Sequence, residues 1–191
     1  MKQTIRIIAG QYKGKKLHFP ALQGLRPTPD RVRETLFNWL MHDISGARCL
    51  DAFAGSGALG FEAFSRGAAD VVFLEQAAQA AASLKTNINA LGSNRIQVIK
   101  TNAFAYLQKT AQQFDIIFLD PPFGKGYLTQ CVAVLEHSTV LKDGGLLYIE
   151  SEQVIPINAC HWQQLRLKKA GQVVYALYKK LDKTTVLQPP S

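Results

Sequence analysis

The sequence predicts an α/β fold: a mostly parallel sheet covered by helices, an antiparallel hairpin at its C-terminal edge, and a small N-terminal β-hairpin extension. Three observations carry this expectation. From residue 47 onward, strand-like and helix-like segments alternate, the pattern of repeated strand–helix–strand units. Several strand segments are nearly continuous apolar runs, such as Phe114-Asp115-Ile116-Ile117-Phe118-Leu119, as expected of strands covered on both faces. A glycine-rich turn, Gly55-Ser56-Gly57-Ala58-Leu59-Gly60, follows the first of these strands and opens the first helix of the alternation.

In chain order, Ile5-Arg6-Ile7-Ile8, a loop with Gly10 and Gly14, and Lys16-Leu17-His18-Phe19 read as a hairpin over 5–19 that Pro20 ends. Gly24-Leu25-Arg26-Pro27-Thr28-Pro29 reads as a linker. Thr28 is expected to cap a helix with Pro29 at its first position. Val32, Leu36, Trp39 and Leu40 then form the stripe of a helix packed on a core. Strands are expected at 47–53, 70–75, 95–100, 114–120 and 145–150, and helices at 58–66, 77–91, 103–111 and 127–138. The segments 163–169 and 172–180, around Ala170-Gly171, read as the edge hairpin. Three regions follow: a basic hairpin extension over 1–24, a main domain over 25–183, and a frayed tail over 184–191.

Composition narrows the class. With 191 residues, 47% hydrophobic and 19% charged, the chain reads as an ordinary globular protein and not a disordered one. The N-terminal residues show no apolar signal core or cleavage site, and Asp, Gly or Pro interrupts every apolar run, so a cytoplasmic protein without a membrane span is expected. Cys49, Cys131 and Cys160 show no Cys-x-x-Cys spacing and read as reduced thiols. His18, His42, His137 and His161 show no metal-ligand spacing, so no metal is expected.

The net charge of +8 is unevenly placed. Residues 1–33 hold eight basic residues against Asp30 alone, a net +7, while the rest of the chain holds 14 basic and 13 acidic groups. Lys13, Lys15, Lys16, Arg26, Arg31 and Arg33 are therefore the candidate contacts for a polyanion.

Glycines at 55, 57 and 60 let the backbone turn sharply and approach a ligand, beside a helix start whose amides lack intrahelical partners. Glu75 ends the next strand, where a carboxylate can accept hydrogen bonds from both hydroxyls of a ribose. The string Gly55-x-Gly57-x-x-Gly60 is also the dinucleotide fingerprint, so by itself the loop suits a nicotinamide oxidoreductase as well as a methyltransferase. Asp51 favours the second, because a carboxylate at the loop mouth attracts a ligand bearing an ammonium and a sulfonium and repels a pyrophosphate. A nicotinamide enzyme would also need a substrate domain and a placed acid–base residue, and neither is evident. A nucleic-acid-binding protein with a vestigial fold would have a degraded loop, and this one is intact.

The fourth strand of the alternation ends in Asp120-Pro121-Pro122-Phe123. In open parallel sheets ligands bind beyond the carboxyl ends of the strands, so residues 51–57, 75 and 120–123 are expected to converge on one crevice. The Asp120 carboxylate and the Pro121 carbonyl can accept both hydrogens of an exocyclic amine. That amine is a poor nucleophile until its lone pair is turned toward the methyl group, so alignment supplies much of the catalysis. Phe123 can stack on an extruded base. Asn102 can hydrogen-bond an adenine edge or cap the following helix.

With these motifs on view, the chain resembles the RsmD family of bacterial 16S rRNA guanine-N2 methyltransferases. The resemblance rests on Arg6-Ile7-Ile8-Ala9-Gly10-Gln11, Leu25-Arg26-Pro27-Thr28, Asp30-Arg31-Val32-Arg33-Glu34-Thr35-Leu36-Phe37-Asn38-Trp39-Leu40, Asp51 to Gly60, Asp120 to Phe123 and Tyr148-Ile149-Glu150-Ser151-Glu152. It implies a Rossmann-like class I methyltransferase domain, S-adenosylmethionine as cofactor, and 16S rRNA in a small ribosomal subunit or its assembly intermediate as partner. It implies that Asp51, Gly55 and Gly57 hold the methionine end of the cofactor, Glu75 its ribose and Asn102 its adenine, with Phe53 and Ala103 also among the cofactor-binding residues. Asp120, Pro121, Pro122 and Phe123 are implied to hold the guanine. Family members can carry a further acid two residues after the ribose acid, and Glu75-Gln76-Ala77 lacks it. Amine methyltransferases acting on another nucleic acid or on protein glutamine share the Asp-Pro-Pro-Phe type of tetrad.

Overall fold

The computed structural model describes residues 2–22, 25, 27–122, 124 and 126–182. Arg26, Phe123 and the expected frayed tail lie outside the described residues. The chain forms two compact units, Met1–Ala103 and Phe104–Ser191.

In the first unit, β1 (Lys2–Arg6) and β2 (Lys16–Pro20) pair antiparallel with Ile5 opposite Leu17. Ile5, Ile7, Leu17 and Phe19 are buried while Lys16 and His18 are exposed, the alternation of a sheet with one covered face. The hairpin is tied down at both ends. The amide of His18 donates to Asn87 Oδ1 at 3.2 Å and Asn87 Nδ2 donates back to the His18 carbonyl at 2.8 Å. At the turn, Gly10 with φ +82 lies so close to Ser65 that a Cβ would sit 1.8 Å from its carbonyl oxygen.

Helix α1 (Asp30–Trp39) starts one residue later than expected. Pro29, at φ −58 and ψ 148, is the N-cap residue and lies outside the helical region, and no side-chain cap bond is made. Its carbonyl accepts the amides of Val32 and Arg33, both at 3.0 Å. Val32, Leu36 and Leu40 are buried as the stripe requires, and Trp39 is half-buried.

Strands β3 (Arg48–Asp51), β4 (Asp70–Glu75) and β5 (Ile96–Lys100) pair in parallel in the order β5-β4-β3. Helix α2 (Ala58–Ser65) follows β3, and α3 (Ala78–Leu91) follows β4. All eight residues of α2 are buried. Gly60 permits that closeness, since a Cβ there would sit 2.2 Å from Phe73 on β4.

The second unit takes α4 (Ala103–Lys109) from Phe104 onward, then β6 (Phe114–Leu119), α5 (Tyr127–His137), β7 (Leu141–Ser151), β8 (Trp162–Ala170) and β9 (Val173–Lys180). The strand order is β6-β7-β9-β8, with β6 and β7 parallel and the two other pairings antiparallel. The parallel pairings and the antiparallel C-terminal strands give the expected fold class. Strand β7 begins four residues earlier than expected, at Leu141. Its register against β6 shifts between Phe114 and Ile116, where Gly144 takes φ +75 and the extra residues bulge out. Among the described residues no helix is long and apolar enough to cross a membrane.

Candidate functional site

Hydrogen bonds within the first unit build the glycine loop. Asp51, at the end of β3 and 2% exposed, accepts the amide of Gly60 on Oδ2 at 3.0 Å. A buried carboxylate thereby serves an unpaired amide in the first turn of α2 and faces the positive end of that helix. Glu75, half-buried at the end of β4, accepts the Gly55 amide on Oε2 at 2.8 Å and the Ala77 amide on Oε1 at 2.7 Å. The loop amide of Ala54 donates to the Leu74 carbonyl at 3.0 Å. Gly55 and Gly57 take φ +51 and +79. A Cβ on Gly57 would meet Phe61 at 2.5 Å and Leu84 at 2.6 Å, so only glycine fits that turn.

Asp51 is thereby bonded to the first turn of the helix that the loop opens, and Glu75 to the loop itself at Gly55. Asn102 lies at the same carboxyl edge. Lys100 pairs with Glu75 in the β4–β5 register, and the Thr101 amide donates to the Glu75 carbonyl at 3.1 Å. Phe53 and Asn102 are half-buried and Ala103 is buried. Two carboxylates beside a bare, turned backbone fit a ligand carrying a diol and a positive charge.

In the second unit, Asp120 follows the last buried residue of β6 and is half-buried. Pro121 is buried and Pro122 exposed, whereas Phe123 lies outside the described residues. The β6–β7 register pairs Phe118 with Tyr148 and Leu119 with Ile149, so Glu150 stands one step on, beside Asp120. Glu150 is 4% exposed and accepts the Tyr148 hydroxyl on Oε1 at 2.9 Å. Burial above all, then the charges of Glu150 and Asp120, hold the Tyr148 phenol well above its ordinary value. The sequence marked Glu150 only as part of a resembling motif.

The basic candidates separate into two groups. Lys13, Lys16 and Arg31 are exposed. Lys15 and Arg33 make side-chain hydrogen bonds within the first unit, Lys15 half-buried and Arg33 buried. Lys15 Nζ donates to the Ala90 carbonyl at the end of α3, so a side chain on a turn acts as a helix C-terminal cap. Arg33, 1% exposed, donates to Asp30 Oδ1 at 2.6 Å and to the Arg6 carbonyl at 3.0 Å, and lies 3.5 Å from Glu62 Oε2. Its position on the face of Leu36, Phe37 and Leu40 was the available signal. Arg26 lies outside the described residues.

Glu62 was missed from the sequence. It is 0% exposed, yet it accepts the amides of Ile8 at 2.8 Å and Ala9 at 3.0 Å, pairs with Arg66 Nε at 2.7 Å, and faces Arg33. One carboxylate on α2 therefore joins the hairpin, α1 and the helix that the glycine loop opens. An acid inside a helix that is apolar on every side was the signal for such a hub.

The family described as Conserved hypothetical protein 95 matches residues 5–179 of the chain. The chain is similar to the Escherichia coli K12 protein named ribosomal RNA small subunit methyltransferase D, with 46% identity over 92% of this chain and 90% of that one. It is similar to the Haemophilus influenzae protein of the same name, with 45% identity over 93% of this chain and 95% of that one. Among solved structures, a putative methyltransferase yhhF from Escherichia coli superposes with a TM-score of 0.87 and 45% identity, covering 95% of this chain and all of that one.

Proposed function

The chain belongs to the Conserved hypothetical protein 95 family, the RsmD family its motifs resemble, and from that premise we propose that it methylates the exocyclic N2 amine of a guanine in 16S ribosomal RNA. S-adenosylmethionine, when bound, supplies an electrophilic methyl group on a sulfonium, a good leaving group. Asp51 and the backbone of Gly55 and Gly57, with Phe53 beside them, hold its charged methionine end. Glu75 holds the ribose hydroxyls with lone pairs that its bonds to Gly55 and Ala77 leave over. Asn102 and Ala103 line the adenine.

The observation that carries the reading is Asp120, half-buried at the carboxyl end of the buried strand β6 and followed by two prolines. The Asp120 carboxylate and the Pro121 carbonyl accept the two amine hydrogens and turn the nitrogen lone pair toward the methyl group. Pro121 and Pro122 stiffen the turn that presents them. Phe123 stacks on the base. Lys13, Lys16 and Arg31 supply the exposed charge that attracts RNA, with Arg26 on the neighbouring segment. The substrate is the RNA as it stands in the small subunit or an assembly intermediate.

The test is methylation of naked 16S RNA and of isolated small subunits with S-adenosylmethionine, with the product located by mass spectrometry. The expected product is N2-methylguanine. Asp120→Ala should abolish most of the single-turnover rate while cofactor binding persists, and Asp120→Asn, which keeps one acceptor oxygen, should retain part of it. Methylation at another atom, or a near-parental rate in Asp120→Ala, would overturn the assignment.

A further inference from the structure

A second group of chemistry-bearing side chains lies in the second unit, and the methyl-transfer reading makes no use of it. His137 is the last residue of α5, preceded by Glu136, and His161 stands in the turn just before β8. Nothing in their sequence spacing marks them, since a helix end, a full strand and a loop separate His137 from His161. The fold nevertheless brings one ligand atom of each of Glu136, His137 and His161 within 4.8 Å of the others. The two imidazoles meet edge to face, with ring centroids 5.2 Å apart and planes at 84°.

Both segments that carry these groups are held by the backbone. The His161 carbonyl accepts the Leu181 amide at 2.8 Å, and the amides of His161 and Trp162 donate to the Asn158 carbonyl at 3.0 and 3.1 Å. At the end of α5 the Ser138 amide donates to the Val134 carbonyl at 3.1 Å, and the buried Lys180 ammonium donates to the Ser138 carbonyl at 2.5 Å. The indole Nε1 of Trp162 donates to Glu136 Oε1 at 3.2 Å. An outer hydrogen bond of this kind orients a metal-ligating carboxylate. The histidines themselves are half-buried or exposed, so a cation can reach them.

We propose that Glu136, His137 and His161 bind a divalent transition-metal cation of the zinc class. Two imidazole nitrogens and one carboxylate oxygen match that class, whereas magnesium and calcium select oxygen-only sets. Metal bonds of about 2.0–2.1 Å in a tetrahedral site require ligand atoms to stand about 3.3 Å apart. Closing from within 4.8 Å is a matter of side-chain rotation, because the backbones are already fixed. Water completes the coordination. The ammonium of Lys180 on the Ser138 carbonyl opposes the bound charge and limits the affinity. The cation would fasten the end of α5 to the start of β8.

Calorimetric titration of the full chain with zinc chloride tests this. The expected result is one equivalent bound, with magnesium chloride silent. His137→Gln, His161→Gln and Glu136→Gln should each weaken zinc binding by at least about 10-fold. Their circular dichroism spectra and urea midpoints without metal should stay near the parent's, because the three side chains are surface-accessible. Cys160→Ser should bind zinc as the parent does. Absence of stoichiometric zinc binding, parental zinc affinity in either histidine variant, or loss of binding in Cys160→Ser would overturn the proposal. The last outcome would assign the metal to the exposed thiol instead.

Discussion

Replacing Glu62 by glutamine removes one buried charge at the point where the hairpin and α1 are fastened to α2. Four donors converge on this carboxylate: the amides of Ile8 at 2.8 Å and Ala9 at 3.0 Å, Arg66 Nε at 2.7 Å and Arg33 Nη1 at 3.5 Å. Glutamine keeps the volume and one acceptor oxygen, but it turns an NH₂ group toward groups that are themselves donors. Breaking a buried pair from one side costs about 3–5 kcal/mol, because the remaining charge stays buried without compensation. Arg33 keeps its contacts with the Arg6 carbonyl and Asp30. Asp30 is 72% exposed, so solvent screens that contact and it offsets little. The expected loss is therefore about 3 kcal/mol, a large share of the 5–15 kcal/mol by which domains are typically stable. With a urea dependence of about 1–3 kcal/mol per molar, the midpoint should fall by roughly 1–3 M. Hydrogen exchange provides the local readout, and the Ile8 and Ala9 amides should lose protection first. A double variant with Arg33→Met should recover part of the loss, since the stranded guanidinium is gone. A loss below about 1 kcal/mol, with the Ile8 and Ala9 amides still protected, would refute the account of Glu62 as the buried anchor.

Reversing Lys13, Lys16 and Arg31 to glutamate should weaken RNA binding in filter assays and flatten its salt dependence while leaving folding intact, because all three are exposed. Lys15→Glu should in addition lower stability, since its ammonium caps the Ala90 carbonyl at the end of α3. Burial keeps the Tyr148 phenol neutral well above its ordinary value of 10.0. The folded state therefore holds a proton that the unfolded state loses, so stability is intact below about pH 10 and should fall as pH rises further. Denaturation midpoints measured across alkaline pH should show a shallower fall in Tyr148→Phe. Burial pushes the Cys131 thiol up to about 12, and Cys49 is also buried, so iodoacetamide near neutral pH should label Cys160 alone. Mass spectrometry of the labelled peptides checks this.

Local chemistry determined much of this protein. Strand and helix order follows from where apolar residues recur, and that recurrence is written in neighbouring positions. The glycine loop is legible for the same reason: positive φ at Gly55 and Gly57 is a demand of single residues on their own backbone. The Asp120-Pro121-Pro122 turn is likewise a property of consecutive residues. The late start of α1 shows how far such reading reaches. Thr28 and Pro29 both signal a helix start, and only the conformation Pro29 adopts decides which residue is the cap.

Tertiary structure decided what periodicity cannot express, namely which distant group each side chain meets. Arg31 and Arg33 differ little as sequence, yet one is exposed and the other is buried against Glu62, because two positions along a helix turn the side chain to another face. Lys15 looks like its neighbours Lys13 and Lys16 until the turn of the hairpin sets it against the end of α3. The antiparallel hairpin was expected, but that β9 rather than β8 pairs with β7 depends on the order in which strands join a sheet. Glu62 and the Glu136–His137–His161 group are the extreme cases. Their partners lie far off in the chain, so the sequence names the residues and only the folded chain supplies the distances at which charges and ligands act.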